Sequence, residues 1–172
     1  MALSGQVRSF ATVSYAAGPA RYSQSGGPPC SGRNFNDSYL IDMPFDLAAS
    51  YIAAAEREIG ATLPASYVTA MQTSNGSELD VLDDDWQQYP IADTSDRKRL
   101  SRTTNHVIKE TEVLFQSPRF PKDGLVIAGN GSGDQMVLLR DGDVFAESVY
   151  HWSHETGALT KIANAFSELA VS

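Results

Sequence analysis

Three short apolar runs in the C-terminal half, Leu125–Ala128, Met136–Leu139 and Val144–Trp152, are joined through the short turn segments Gly129–Asp134 and Asp141-Gly142. Each run has the length of a strand. Connectors this short leave no room for the crossover that parallel strands require, so the runs predict an antiparallel meander. Its last two strands are expected to form a hairpin about Asp141-Gly142.

Upstream, the spacing changes from two residues to about four. Asp46 reads as the N-cap of a helix carrying Leu47, Tyr51, Ile52, Ala55 and Ile59 on one face, with Gly60 as its stop. Pro64 suits the first turn of a second helix, with Tyr67, Val68 and Met71 on one face and Asn75-Gly76 after its end. Glu78–Leu82 and Trp86–Ile91 read as strands on either side of an acidic turn, Asp83-Asp84-Asp85. A third helix is predicted from Asp96 to Gln116 on the stripe Leu100, Val107, Ile108, Leu114 and Phe115, closed by Pro118 and Pro121. Ile162, Phe166 and Leu169 predict a short C-terminal helix packed on the sheet. Helices, strands, helix, meander and helix in that order give an α+β fold with a mainly antiparallel sheet. Residues 1–40 mix Ser, Gly and Pro with scattered aromatics and carry neither period, so they are expected to be an appended arm. Part of it, Val7–Tyr15, suits an edge strand, and residues 41–172 are expected to form the folded domain.

At 172 residues with 42% hydrophobic and 20% charged, the chain can bury one substantial core. Its 13 basic residues against 21 acidic ones leave a net charge of −8, which repels phosphate backbones and anionic lipid headgroups. No direct nucleic-acid or membrane partner is expected, whereas a basic protein would be drawn in. The single cysteine, Cys30, excludes an internal disulfide framework and fits a reducing compartment. With no apolar run of about 18 to 20 residues and no signal-peptide pattern, a cytoplasmic location is expected.

Several constellations invite a chemical reading and fail on their spacing. Gly129-Asn-Gly-Ser-Gly133-Asp134 follows a strand as a phosphate loop would, but Asp134 replaces the third glycine and a strand follows where a helix is needed. His151-Trp152-Ser153-His154-Glu155 has zinc-type ligands, yet residues three apart on a strand point to opposite faces. Glu78, Asp80, Asp83, Asp84 and Asp85 lack the order of a calcium loop and read as a solvated acidic turn beside Trp86. Arg97-Lys98-Arg99 with Arg102 is expected to pair with that turn. No Gly-x-Ser-x-Gly elbow is present, and no cofactor is expected.

Taken in order, five segments resemble the SUKH superfamily, in particular its Smi/Knr-type domain. They are Glu56–Ile59 with Leu63-Pro64-Ala-Ser-Tyr67 and Ser74-Asn75-Gly76; Asp85-Trp86 with Tyr89-Pro90-Ile91; Gly124–Asp134; Val149–Glu155; and Ile162-Ala163 with Phe166–Leu169. The resemblance spans about Phe45 to Leu169 and implies a mixed sheet flanked by helices, with no catalytic residues to carry over. It implies a bacterial immunity protein that binds and neutralises a cognate toxin, for instance a nuclease, while fungal relatives regulate cell-wall assembly. On this reading Asp83, Asp84, Asp85, Asp134, His154 and Glu155 are partner-binding candidates, with Trp86 and Trp152 as anchors. The protein is expected to act as a monomer or weak homodimer. A non-catalytic scaffold or regulator is the competing reading, and a hydrolase using His154 and Glu155 is a third.

Overall fold

The computed structural model describes residues 44–171, so the expected arm and its Val7–Tyr15 strand lie outside the described residues. Two helices come first, α1 (Ala49–Ile59) and α2 (Ala65–Thr73), then a hairpin of β1 (Glu78–Val81) and β2 (Asp84–Gln88). Two short helices follow, α3 (Arg97–Arg102) and α4 (Val107–Leu114), then β3 (Gly124–Asn130), β4 (Gln135–Asp141) and β5 (Val144–Trp152). The chain closes with β6 (Leu159–Ala163), a 3₁₀ turn (Phe166–Glu168) and β7 (Ala170–Val171). The strands form one sheet in the order β6-β5-β4-β3-β2-β1-β7. Every neighbouring pair in it is antiparallel, as the short connectors require.

Antiparallel strands are commonly buried on one face only. Here β3 is buried on both, from Gly124 to Gly129, and so is the first half of β4. One face carries the main core, in which Tyr67 and Met71 of α2, Trp86, Met136, Leu138 and Phe166 meet. The other face carries a smaller core of Phe120, Val126, Val137 and Trp152. Phe120 stacks edge-on to Trp152 with ring centroids 5.2 Å apart, so the loop after α4 covers this second face.

The sheet is not uniform along β3. β2 pairs with β3 only from Ala128 to Asn130, and a register shift between Val126 and Ala128 frees backbone groups below that point. Side chains and α4 take them up. The Val126 amide donates to Thr111 Oγ1 at 3.0 Å, and the Val107 amide at the start of α4 donates to the Pro90 carbonyl at 3.0 Å. Asn75 does the same nearby: its Nδ2 donates to the Ile91 carbonyl at 2.9 Å and its Oδ1 accepts from the Ile91 amide at 2.8 Å.

Several sequence expectations are corrected here. Ala48, not Asp46, occupies the N-cap of α1, and Asp46 instead accepts from Arg99 at 2.9 Å. Pro64 sits one residue before α2 and not in its first turn, and the Ala65 amide is capped by Glu147 of β5 at 2.8 Å. The expected helix from Asp96 to Gln116 is two helices. Thr103 breaks it, because its hydroxyl is engaged by the Asp93 amide at 3.0 Å and by the Arg99 carbonyl, pulling the chain off the helical path. Asp96 does cap α3, accepting from the Lys98 and Arg99 amides. Leu100 is consequently exposed and belongs to no apolar stripe. The expected C-terminal helix is absent: Ile162 belongs to β6 and Phe166 to the 3₁₀ turn. Phe166 and Leu169 are nonetheless buried, so their spacing marked burial rather than helix. Arg99 pairs with Asp46 and Asp93, not with the acidic turn, while both Arg99 and Arg102 lie over the Phe45 ring. Burial pushes the Asp93 carboxyl up, but hydrogen bonds from Ser95 and Arg99 outweigh it and hold the group below its usual range. Among the described residues, no helix is long and apolar enough to cross a membrane.

Tyr67 is fully buried and its hydroxyl has no hydrogen-bond partner among the described residues. Burying an unpaired hydroxyl costs about 1–3 kcal/mol. Replacing Tyr67→Phe keeps the edge-on packing against Phe166 and removes that cost. Denaturant titration is expected to show the variant more stable than the parent by about 1 kcal/mol; a loss of stability would mean that the hydroxyl has a partner.

Candidate functional site

The β1–β2 hairpin turns through Leu82 and Asp83, because Val81 pairs with Asp84 across the strands. Both turn residues adopt left-handed backbone, with φ of 60° and 58°. Two positive φ values are what a two-residue hairpin of type I′ needs, and Asn-Gly supplies them without strain. Leu82 does not, at about 1–2 kcal/mol, whereas Asp83 is of a type that tolerates left-handed backbone. Leu82 is also 60% exposed, so no packing offsets its strain. The turn is therefore shifted from the expected Asp83-Asp84-Asp85: Asp83 is at the tip, and Asp84 and Asp85 begin β2.

Alternation along the strands then sorts the carboxylates. Asp80 faces Asp85 directly across the hairpin, and Glu78 lies two residues away on the same side, all three exposed. Like charges in directly opposed positions repel. Asp84 points to the other side, where it accepts a hydrogen bond from Asn130 Nδ2 at 2.7 Å. Gly129 opposes Gln87 beside this hairpin, and a Cβ there would collide with the Tyr89 hydroxyl. The space left open is a shallow hollow of about 390 Å³ lined by Glu78, Asp85, Gln87, Tyr89 and the Gly129–Gly131 backbone.

Asn130 joins the acidic hairpin to a second cluster. Its Oδ1 accepts from the Ser132 hydroxyl and from the Asp134 amide, each at 2.9 Å, which holds the Asn130–Asp134 turn. Asp134 then accepts three bonds: from the His154 amide at 2.9 Å, from the His154 ring at Nδ1 at 2.8 Å, and from His151 Nε2 at 3.0 Å. His151 and His154 thus converge on one carboxylate, against the expectation of opposite faces. The reason is that β5 ends at Trp152 and His154 stands in the turn beyond it, free of strand alternation. Burial pushes the Asp134 pKa up, yet the His154 ring and amide, followed by His151, outweigh it and hold the carboxyl below its usual range.

The structure therefore brings Asp84, Asp134 and His154 into one bonded rim at one end of the sheet, with Asp83 and Asp85 exposed beside it. Glu155 is exposed next to His154, and its carbonyl accepts from Arg119. Trp86 and Trp152 are not available as exposed anchors, because each is only 2% exposed. Trp86 packs edge-on to His151 in the main core and donates to the Val81 carbonyl at 3.0 Å. Trp152 closes the second core and donates to the Arg119 carbonyl at 3.2 Å. Asn130, Ser132 and His151 were missed as members of the rim. The clustered Asn, Ser and Asp of the β3–β4 connector are the signal that could have placed the first two.

Because its folded-state pKa is lowered, Asp134 contributes stability that is present in full above the unfolded value of about 3.9 and lost as pH falls through the folded one. The Asp134→Asn variant, which keeps an acceptor but no charge, is expected to be about 2 kcal/mol less stable than the parent at neutral pH. Chemical denaturation across pH should show that gap closing as the pH falls below about 4; a gap that persists there would mean the charge carries none of it.

No curated protein sequence matches the chain. The sequence profile described as SMI1 / KNR4 family (SUKH-1) matches residues 47–171, the stretch that runs from two residues before the first helix to the last strand. With its helices, its sheet and its polar rim all inside that match, the chain belongs to the SMI1 / KNR4 (SUKH-1) family.

Proposed function

We propose that this protein is an immunity protein, one that binds a cognate bacterial toxin of basic surface, such as a nuclease, and neutralises it by covering it. The observation that carries this reading is the β1–β2 hairpin. It presents Asp80, Asp83 and Asp85 around an exposed Leu82, in a chain whose net charge is −8. Such a tip steers a basic partner by charge and offers one apolar side chain to a pocket on it. Family membership supports a role carried out through a protein partner. The adjoining rim supports docking more than turnover, since the Asp134 carboxylate is already engaged by three donors. Contacts are assigned to Asp83, Asp84 and Asp85 with Leu82 at the tip, and to His154 and Glu155 beyond the rim. Asp134 and the two tryptophans hold that surface in place.

The test is co-expression with the toxin encoded next to this chain. Growth is expected to be restored by the parent, and continued death despite folded, abundant protein would sink the reading. Replacing Asp83→Lys and Asp85→Lys together leaves the Asp84–Asn130 bond intact, so folding should be unchanged. The association rate with the toxin is expected to fall by tenfold or more at low salt, and by less at high salt. Capture of several housekeeping proteins and of no toxin would instead favour a regulatory scaffold.

A second variant separates strain from contact. Leu82→Asn with Asp83→Gly gives the hairpin residues that accept its left-handed turn, so thermal unfolding is expected to be shifted up by about 1–2 kcal/mol equivalent. Toxin binding is expected to weaken in the same protein because the exposed apolar tip is gone. A variant that is stabilised and binds unchanged would remove Leu82 from the contact surface.

A further inference from the structure

The tripeptide Asn-Gly-Ser occurs at Asn75–Ser77 and again at Asn130–Ser132, and the fold builds the two in opposite ways. An asparagine followed by glycine is open to attack on its own side chain, because no Cβ shields the next backbone nitrogen and glycine leaves the backbone free to bring it round. Asn75 is closed to this. It is 2% exposed, both ends of its amide are held by the Ile91 backbone, and a Cβ on Gly76 would meet Pro90 at 3.6 Å.

Asn130 ends β3, half-buried, and Gly131 and Ser132 are exposed in the connector that follows. Nothing lies within 4 Å of the place where a Gly131 Cβ would stand, and the Gly131 N–H makes no hydrogen bond among the described residues. The attacking nitrogen is thus unshielded and uncommitted. The carbon it attacks is activated. Asn130 Oδ1 accepts from the Ser132 hydroxyl and from the Asp134 amide, each at 2.9 Å, so two donors already stand where negative charge gathers when the side-chain carbonyl is attacked.

We infer that Asn130-Gly131 is a self-modification site, at which deamidation converts Asn130 into aspartate or isoaspartate and unties the acidic hairpin. The Gly131 nitrogen bonds to Asn130 Cγ and gives up its proton to solvent. The Cγ–Nδ2 bond breaks, and the side-chain nitrogen leaves as ammonia with a proton taken from solvent. Water then opens the cyclic imide at either carbonyl. In both products a carboxylate replaces the amide whose Nδ2 bonds Asp84 at 2.7 Å, so a hydrogen bond gives way to repulsion between like charges. The reaction needs no partner, so its failure would leave the docking reading untouched.

Storage of the folded full chain at mildly alkaline pH, followed by tryptic digestion and mass spectrometry, tests this directly, since residues 123–140 and 58–97 fall in separate peptides. The 123–140 peptide is expected to gain one mass unit progressively and to split on chromatography into an aspartate and an isoaspartate form. The 58–97 peptide is expected to stay unchanged in the folded protein and to react only once denaturant exposes Asn75. Gly131→Ala places a Cβ in open space at a position without left-handed backbone, so the fold is kept and the reaction is expected to slow at least severalfold. Asn130→Asp supplies one product directly and is expected to speed hydrogen exchange at residues 80–85. No mass gain in 123–140, equal reaction at Asn75 in the folded protein, an undiminished rate in Gly131→Ala, or unchanged exchange in Asn130→Asp would each overturn the inference.

Discussion

An antiparallel hairpin whose strands are buried on both faces needs two separate covers, and the β3–β4 pair imposes that demand on the whole fold. α1, α2 and the 3₁₀ turn cover one side, and the loop after α4 brings Phe120 over the other. The two tryptophans follow from the same demand. Trp86 fills the first layer and Trp152 the second, each with its indole N–H paired to a backbone carbonyl, so neither has surface to offer a partner. Exposed carboxylates gather at one end of the sheet, on the β1–β2 hairpin.

That end of the sheet is held by carboxylates and amides rather than by apolar packing. Asp84 binds Asn130, Asn130 binds the turn leading to Asp134, and Asp134 binds both histidines, so the acidic hairpin is tied across three strands to the end of β5. Charge-assisted bonds of this kind fix geometry as well as adding stability. The exposed tip beyond them is the opposite case. Leu82 sits in strained backbone, and the carboxylates of Asp80 and Asp85 oppose each other across the hairpin. A surface that is costly for the free protein and rigidly mounted suits recognition, since little ordering is left to be done on binding.

The strands were legible because their signals are local. Short connectors forced β3, β4 and β5 to be antiparallel, and the β4–β5 hairpin, which turns one residue later than expected at Gly142-Asp143, the Gly60 stop and the α1–α2 pair needed nothing beyond neighbouring residues. The errors arose where a distant residue decided the outcome. Thr103 breaks the expected third helix because of its bond with Asp93, and Asp46 gives up capping to pair with Arg99 far along the chain. Ile162, Phe166 and Leu169 share a helical spacing but divide between a strand and a 3₁₀ turn, since β6 pairs with β5 first. For the site, the acidic residues were visible as a cluster, whereas the convergence of His151 and His154 on Asp134 depends on where β5 stops. Burial of Trp86 and Trp152 was invisible, because a period of two does not say which face of a sheet is covered.

On the proposed function, a protein partner covers the acidic end of the sheet. Hydrogen exchange on a complex with the proposed toxin partner reads this out along the whole chain. Protection is predicted to concentrate at residues 80–85 and at the turns following Asn130 and Trp152, with little change in α1. Protection centred on α1, or spread evenly with the acidic tip still exchanging freely, would contradict it.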